Sequence, residues 1–107
     1  MKRKTALITG ASRGIGLALA RAFAAAGYDL YLTCLHARTS LAQTADELSG
    51  AYGISCLPFC GDMGDFSTVK NLFAQIDRLD LLINNAGISH IGLLSDMTPE
   101  QWRRLMA

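Results

Sequence analysis

The chain has no excess of charge of either sign. Ten Lys and Arg face nine Asp and Glu, a formal balance of +1. That balance leaves no electrostatic footprint for nucleic acid or for a membrane surface. Long apolar runs are also missing. Met1-Lys2-Arg3-Lys4 has the look of an export n-region, yet the apolar stretch behind it stops at Gly10. That is too short for a signal peptide and far too short to span a bilayer. Cysteine is scarce and odd in number: Cys34, Cys56 and Cys60. Without a Cys-x-x-Cys knuckle, a zinc site of Cys34, His36, Cys56 and Cys60 is disfavoured. Reduced thiols in a cytoplasmic setting are expected instead. Internal repeats, linkers and low-complexity segments are absent too.

What is present is a chain of 107 residues, half of them hydrophobic and 18% charged, enough for one globular domain with one core. Its organising stretch is Thr9-Gly10-Ala11-Ser12-Arg13-Gly14-Ile15-Gly16. A short apolar run, Thr5 to Thr9, precedes it and reads as a buried strand. Ile15 to Ala26 follows and reads as a helix, with Ile15, Leu19 and Phe23 as its apolar stripe and Gly27 as its cap. Strand, glycine turn and helix in that order put bare backbone N–H groups at a helix N-terminus, where the helix dipole favours an anion. Gly10 serves the sharp turn, Gly14 the approach of a pyrophosphate, and Gly16 close packing of the helix.

Further along, Leu30 to Leu35 is a continuous apolar run, as in a parallel strand covered on both faces. Thr39 or Ser40 is expected to cap a second helix striped by Leu41, Ala45, Leu48 and Tyr52, which ends near Gly50 and Gly53. Ile54 to Phe59 forms a third strand. Asp65 caps a third helix striped by Phe66, Val69, Phe73 and Ile76. Leu79 to Asn84 is a fourth strand, and a loop follows through Gly87 and Gly92. Thr98-Pro99-Glu100-Gln101 has the capping box and first-turn proline that open a fourth helix. Strands and helices alternate, so residues 1–107 are read as one α/β domain, a Rossmann-like parallel sheet truncated to about four strands in the order 3-2-1-4. Ligands bind such sheets at the carboxyl ends of the strands, where all the polar and glycine-rich connections fall.

Those residues resemble the short-chain dehydrogenase/reductase family. Thr9-Gly10-x-x-x-Gly14-x-Gly16 is similar to its cofactor motif and Asp62 to its adenine-holding acid. Asn84-Asn85-Ala86-Gly87 is similar to the segment after its fourth strand, and Met97 to Trp102 to the start of its fourth helix. The overall look is similar to 3-oxoacyl-carrier-protein reductases. The resemblance implies a nicotinamide dinucleotide held by Gly10, Ser12, Arg13, Gly14, Ile15 and Gly16, by His36 and Arg38, by Asp62 and Met63, and by Asn85, Ala86 and Gly87. It also implies a small carbonyl substrate. No acid stands between Leu30 and Ser40 to hold ribose hydroxyls, while Arg13 and Arg38 are cations on that side and His36 is a further candidate partner for a phosphate. NADP, as NADPH, is therefore expected over NAD, with a solvated surface cation as the alternative for Arg38.

The family's Tyr-x-x-x-Lys pair is not found: Tyr28, Tyr31 and Tyr52 are followed four residues on by Leu32, Leu35 and Cys56. These 107 residues are thus expected to form the cofactor-binding part of an oxidoreductase and to be inactive alone. A non-catalytic nucleotide-binding or assembly module is the alternative. Left open, the apolar fourth strand would invite self-association or a homo-oligomer through its edge.

Overall fold

A computed structural model describes residues 3–84 and 87–90. Five strands and three helices follow one another as β1 (Thr5–Ile8), α1 (Gly14–Ala25), β2 (Asp29–Cys34), α2 (Arg38–Tyr52), β3 (Cys56–Cys60), α3 (Phe66–Phe73), β4 (Leu81–Asn84) and β5 (Gly87–His90). The sheet order is β3-β2-β1-β4-β5. The first four strands are parallel and adopt the expected 3-2-1-4 order.

The fifth strand departs from the sequence reading, which has a loop at Gly87. Gly87–His90 runs antiparallel to β4, with Asn84 opposite Gly87 and Leu81 opposite His90. Residues 85 and 86 suffice to join an antiparallel pair, whereas a parallel neighbour needs a crossover of a dozen residues or so. The open β4 edge expected from the sequence is therefore occupied by the chain's own next segment, and that edge is not available for self-association.

Alternation along β1 explains why its whole run is buried. Ala6 and Ile8 join Leu30, Leu32, Cys34 and Ile83 on the face packed by α1 and α2. Leu7 and Leu82 face the other way, against Val69 and Leu72 of α3. Burying each such leucine or isoleucine contributes about 1.5–3 kcal/mol.

The helices meet the sheet through partly different residues from those expected. α1 buries Gly16, Ala20 and Ala24, spaced four apart, while Leu19 and Phe23 are half-buried. Ile15 is 76% exposed and so outside the core. Small residues on the contact stripe bring α1 close to the strands, which displaces the bulky stripe to its flank. On α2, Leu41, Thr44, Ala45 and Leu48 are buried and Tyr52 is exposed. Its N-cap is Ala37, and Thr39 and Ser40 lie inside the helix. The Leu41 N–H bonds the Ala37 carbonyl at 2.9 Å, so the helix begins early enough to carry Leu41 into the core. Asp65 caps α3 as expected, accepting a hydrogen bond from the Ser67 N–H.

α1 ends in a motif that the sequence only hints at. Gly27 takes φ +89°. The N–H groups of Gly27 and Tyr28 bond the carbonyls of Ala24 and Phe23 at 3.0 Å each. The Phe23 and Tyr28 rings meet edge to face at 4.9 Å. This is the left-handed glycine termination with its accompanying apolar clasp, and it delivers the chain into β2.

Candidate cofactor site

The turn between β1 and α1 is pinned from both sides. The Thr9 N–H bonds the Ile83 carbonyl of β4, and the Ala11 N–H bonds the Thr33 carbonyl of β2, both at 2.9 Å. Gly10 and Gly14 take φ of +62° and +61°, the left-handed region open to glycine. A Cβ built on Gly16 would collide with the Gly10 carbonyl, whereas one on Gly14 would meet nothing within 4 Å. Gly16 is thus needed for packing, and Gly14 leaves a bare stretch of backbone facing outward.

Between them the N-terminus of α1 is left uncapped. Arg13 occupies the N-cap position in extended conformation, makes no side-chain cap, and the first turn holds no acid. The orphan N–H groups of that turn and the positive end of the helix dipole therefore face the space in front of the sheet.

That space is a cleft of about 750 Å³ lined by Gly10, Ser12, Arg13, Gly14, Ile15 and Gly16 on one wall and by Cys34, Leu35, His36 and Ala37 on the other. Its volume is in the range of small-molecule and cofactor sites. Ile15 and Leu35 are 76% and 55% exposed, large apolar side chains left in water at its rim. The second wall ends at the start of α2, whose N-cap, Ala37, also carries no side-chain cap and whose first turn holds no acid. Two helix N-termini thus open on one cleft. Arg38, the first residue of α2, stands one position beyond the lining.

A second cleft of about 230 Å³ adjoins the first, sharing Gly10, Cys34 and Leu35 with it. Thr33, Asp62, Met63 and Asn84 contribute to its walls. The Asp62 carboxylate accepts a hydrogen bond from the Gly64 N–H at 2.8 Å, which fixes the turn after β3. Met63 is buried against the α3 side of the core. Thr33 is 1% exposed, and its hydroxyl has no partner among the described residues. An orphaned buried hydroxyl beside a cleft is a hydrogen-bonding group in want of a ligand or water.

The residues singled out in the sequence are therefore largely assembled. Gly10, Ser12, Arg13, Gly14, Ile15, Gly16 and His36 line the larger cleft, and Asp62 and Met63 the smaller. Asn85 and Ala86 lie outside the described residues, and Gly87 opens β5 opposite Asn84. Thr33, Cys34 and Leu35 line the clefts as well, although the sequence does not mark them as cofactor contacts. Their signal was position alone, at the carboxyl end of β2. Burial raises the Cys34 thiol pKa, as does the neighbouring Cys60. The Cys56 thiol, in the core, is pushed up to about 11 by burial and then by Asp46. Among the described residues no group of three or more His, Cys, Asp or Glu is placed to hold a metal ion, and no helix is long and apolar enough to cross a membrane.

The sequence model of the family described as short chain dehydrogenase matches residues 4–107. D-beta-hydroxybutyrate dehydrogenase of Rhizobium meliloti is 37% identical over 108 residues, covering 97% of this chain and 42% of that protein. Oxidoreductase UcpA of Salmonella typhimurium is 43% identical over 101 residues, covering 91% and 37%. Among solved structures, a short-chain dehydrogenase from Sphingobium yanoikuyae in complex with NADPH superposes with TM-score 0.69 at 32% identity, over 96% of this chain and 41% of that one. L-Sorbose reductase from Gluconobacter frateurii, complexed with NADPH and L-sorbose, does so with TM-score 0.69 at 29% identity, over 96% and 40%. The chain thus spans about two-fifths of the length of the relatives it matches.

Proposed function

The chain belongs to the short chain dehydrogenase family, and from that premise we propose that it is the NADPH-binding portion of a carbonyl reductase. The observation that carries this reading is the uncapped N-terminus of α1, reached through a glycine turn and opening on a cleft of dinucleotide scale. The diphosphate would lie against the N–H groups of Gly14, Ile15 and Gly16. The adenine end would occupy the smaller cleft beside Asp62 and Met63, with the Thr33 hydroxyl as a donor within it. The nicotinamide would lie toward Ile15 and Gly87, over the segment that contains Asn85 and Ala86. When bound, the dinucleotide supplies a hydride; these residues orient it and exclude water from one face.

Preference for the phosphorylated dinucleotide rests on charge. The cleft wall from Cys34 to Ala37 offers no carboxylate to a ribose, and the first turn of α2 has none either. Arg13, Arg38 and His36, with the N-terminus of α2, favour a 2′-phosphate. Solved relatives complexed with NADPH are consistent with that choice. A ketone such as a 3-oxoacyl group is the substrate class we propose, on the resemblance of the sequence to 3-oxoacyl-carrier-protein reductases. Since Tyr-x-x-x-Lys is not among these residues, the 107 residues bind dinucleotide and do not themselves turn over.

Fluorescence titration with NADPH and NADH tests the assignment. Saturable binding with NADPH tighter is expected. Tighter NADH overturns the preference, and no binding of either overturns the site.

A further inference from the structure

Cys34 ends β2 and Cys60 ends β3, and the two are register partners on adjacent parallel strands. Their side chains share the sheet face packed by α1 and α2. Adjacent strands lie about 4.8 Å apart, inside the Cα separation of roughly 4.4–6.8 Å that a disulfide spans. The Cys60 thiol donates to the Leu35 carbonyl, the residue next to Cys34, at 3.2 Å. Cys34 is buried at 4% exposure and lines both clefts, while Cys60 is half-buried and the more accessible.

We propose that Cys34 and Cys60 form a dithiol site for hydroperoxides, closing to a disulfide across β2 and β3 and thereby loosening the dinucleotide cleft. The Cys60 thiolate attacks the distal peroxide oxygen; the O–O bond breaks, an alcohol or water leaves, and Cys60 becomes a sulfenic acid. Cys34 sulfur then attacks the Cys60 sulfur, its proton leaves with the hydroxyl as water, and the S–S bond forms. Two thiols are oxidised by two electrons and one peroxide is reduced. Closure removes the proton with which Cys60 holds the Leu35 carbonyl, and Leu35 is shared by both clefts. Cys56, the third cysteine, sits four residues before Cys60 inside the core and is paired in register with Leu30, not with a thiol. It serves as an internal control.

The effect on the cleft rests on the dinucleotide reading; the disulfide does not. The test treats the purified protein with a small excess of hydrogen peroxide, maps peptides without reduction, and titrates NADPH before and after. A Cys34–Cys60 linked peptide, a free Cys56, and NADPH binding weakened roughly tenfold and restored by dithiothreitol are expected. Cys60→Ser, at the less buried position, should show neither the linked peptide nor the reversible loss. Cys60 over-oxidised to sulfinic acid beside a free Cys34 overturns the site, and a linked peptide with unchanged affinity overturns the effect on the cleft. Should the reduced protein not bind NADPH, the functional reading fails, while the peptide map still decides the dithiol.

Discussion

A methyl group on Gly16 would fall on the carbonyl oxygen of Gly10. The first turn of α1 therefore rests directly on the turn that leaves β1, and the backbone amides of that turn are held at one fixed place relative to the sheet.

Gly16→Ala and Gly14→Ala should separate packing from binding. At Gly16 the methyl meets backbone, so overpacking should cost about 1–3 kcal/mol and lower Tm visibly. At Gly14 the space is open and only the left-handed backbone resists, at about 1–2 kcal/mol. Gly14→Ala should keep the fold yet lose NADPH affinity, because the methyl stands where ligand approaches. Thermal unfolding paired with titration checks both, and full NADPH affinity in Gly14→Ala would count against the site.

Arg13→Ala and Arg38→Ala should each weaken NADPH by about ten- to a hundredfold, as a charge-assisted hydrogen bond of about 1.5–3 kcal/mol is lost. NADH binding should barely change. Both effects should shrink at high salt. Equal losses for the two dinucleotides would mean that neither guanidinium meets the 2′-phosphate.

Asp80 ties the base of β4 to β1. Its carboxylate accepts the Thr5 N–H at 2.8 Å and bonds Arg78, and those partners hold its pKa below the ordinary value, the Thr5 N–H most of all. A carboxylate with a depressed folded pKa stabilises the fold above its unfolded value, about 4, and loses that contribution as pH falls through the folded one. Tm should accordingly be insensitive to this group near neutrality and fall in acid. Asp80→Asn should have a lower Tm at pH 7, with the gap closing below about pH 4. A gap that persists unchanged in acid would contradict the assignment.

Gly27→Ala forces an L side chain into φ +89° at the end of α1 and should destabilise by about 1–2 kcal/mol. Tyr28→Ala removes the ring that clasps Phe23 and should cost part of about 0.5–1.5 kcal/mol beyond its lost area. Unfolding by urea measures both. Neither change should alter NADPH affinity, since neither residue lines a cleft.

The glycine turn was legible because its requirements are local: a positive φ at Gly10 and Gly14 and a missing Cβ at Gly16 are written residue by residue. The order of the parallel strands was legible from alternation and handedness. Other features depend on what comes from across the chain. Ile15 and Tyr52 fit an apolar stripe, yet the small face of α1 and the depth of Leu48 on α2 turn them outward. Ala37 precedes α2 although Thr39 and Ser40 are better caps, because the helix has to start before Leu41 to bury it. Gly87–His90 is too short and too little alternating to announce a strand, and only β4 beside it gives it a ladder. Thr33 and Cys34 looked like two more core positions of a buried strand. Only the adjoining turns reveal that they line clefts.

In the proposed complex, main-chain N–H groups at the start of α1 grip the diphosphate of NADPH. Backbone amide chemical shifts recorded during an NADPH titration test it most directly. The largest shifts are expected at Gly14, Ile15 and Gly16, saturating together with those of Leu35 and His36. Shifts confined to other parts of the chain, or none at saturating NADPH, would contradict it.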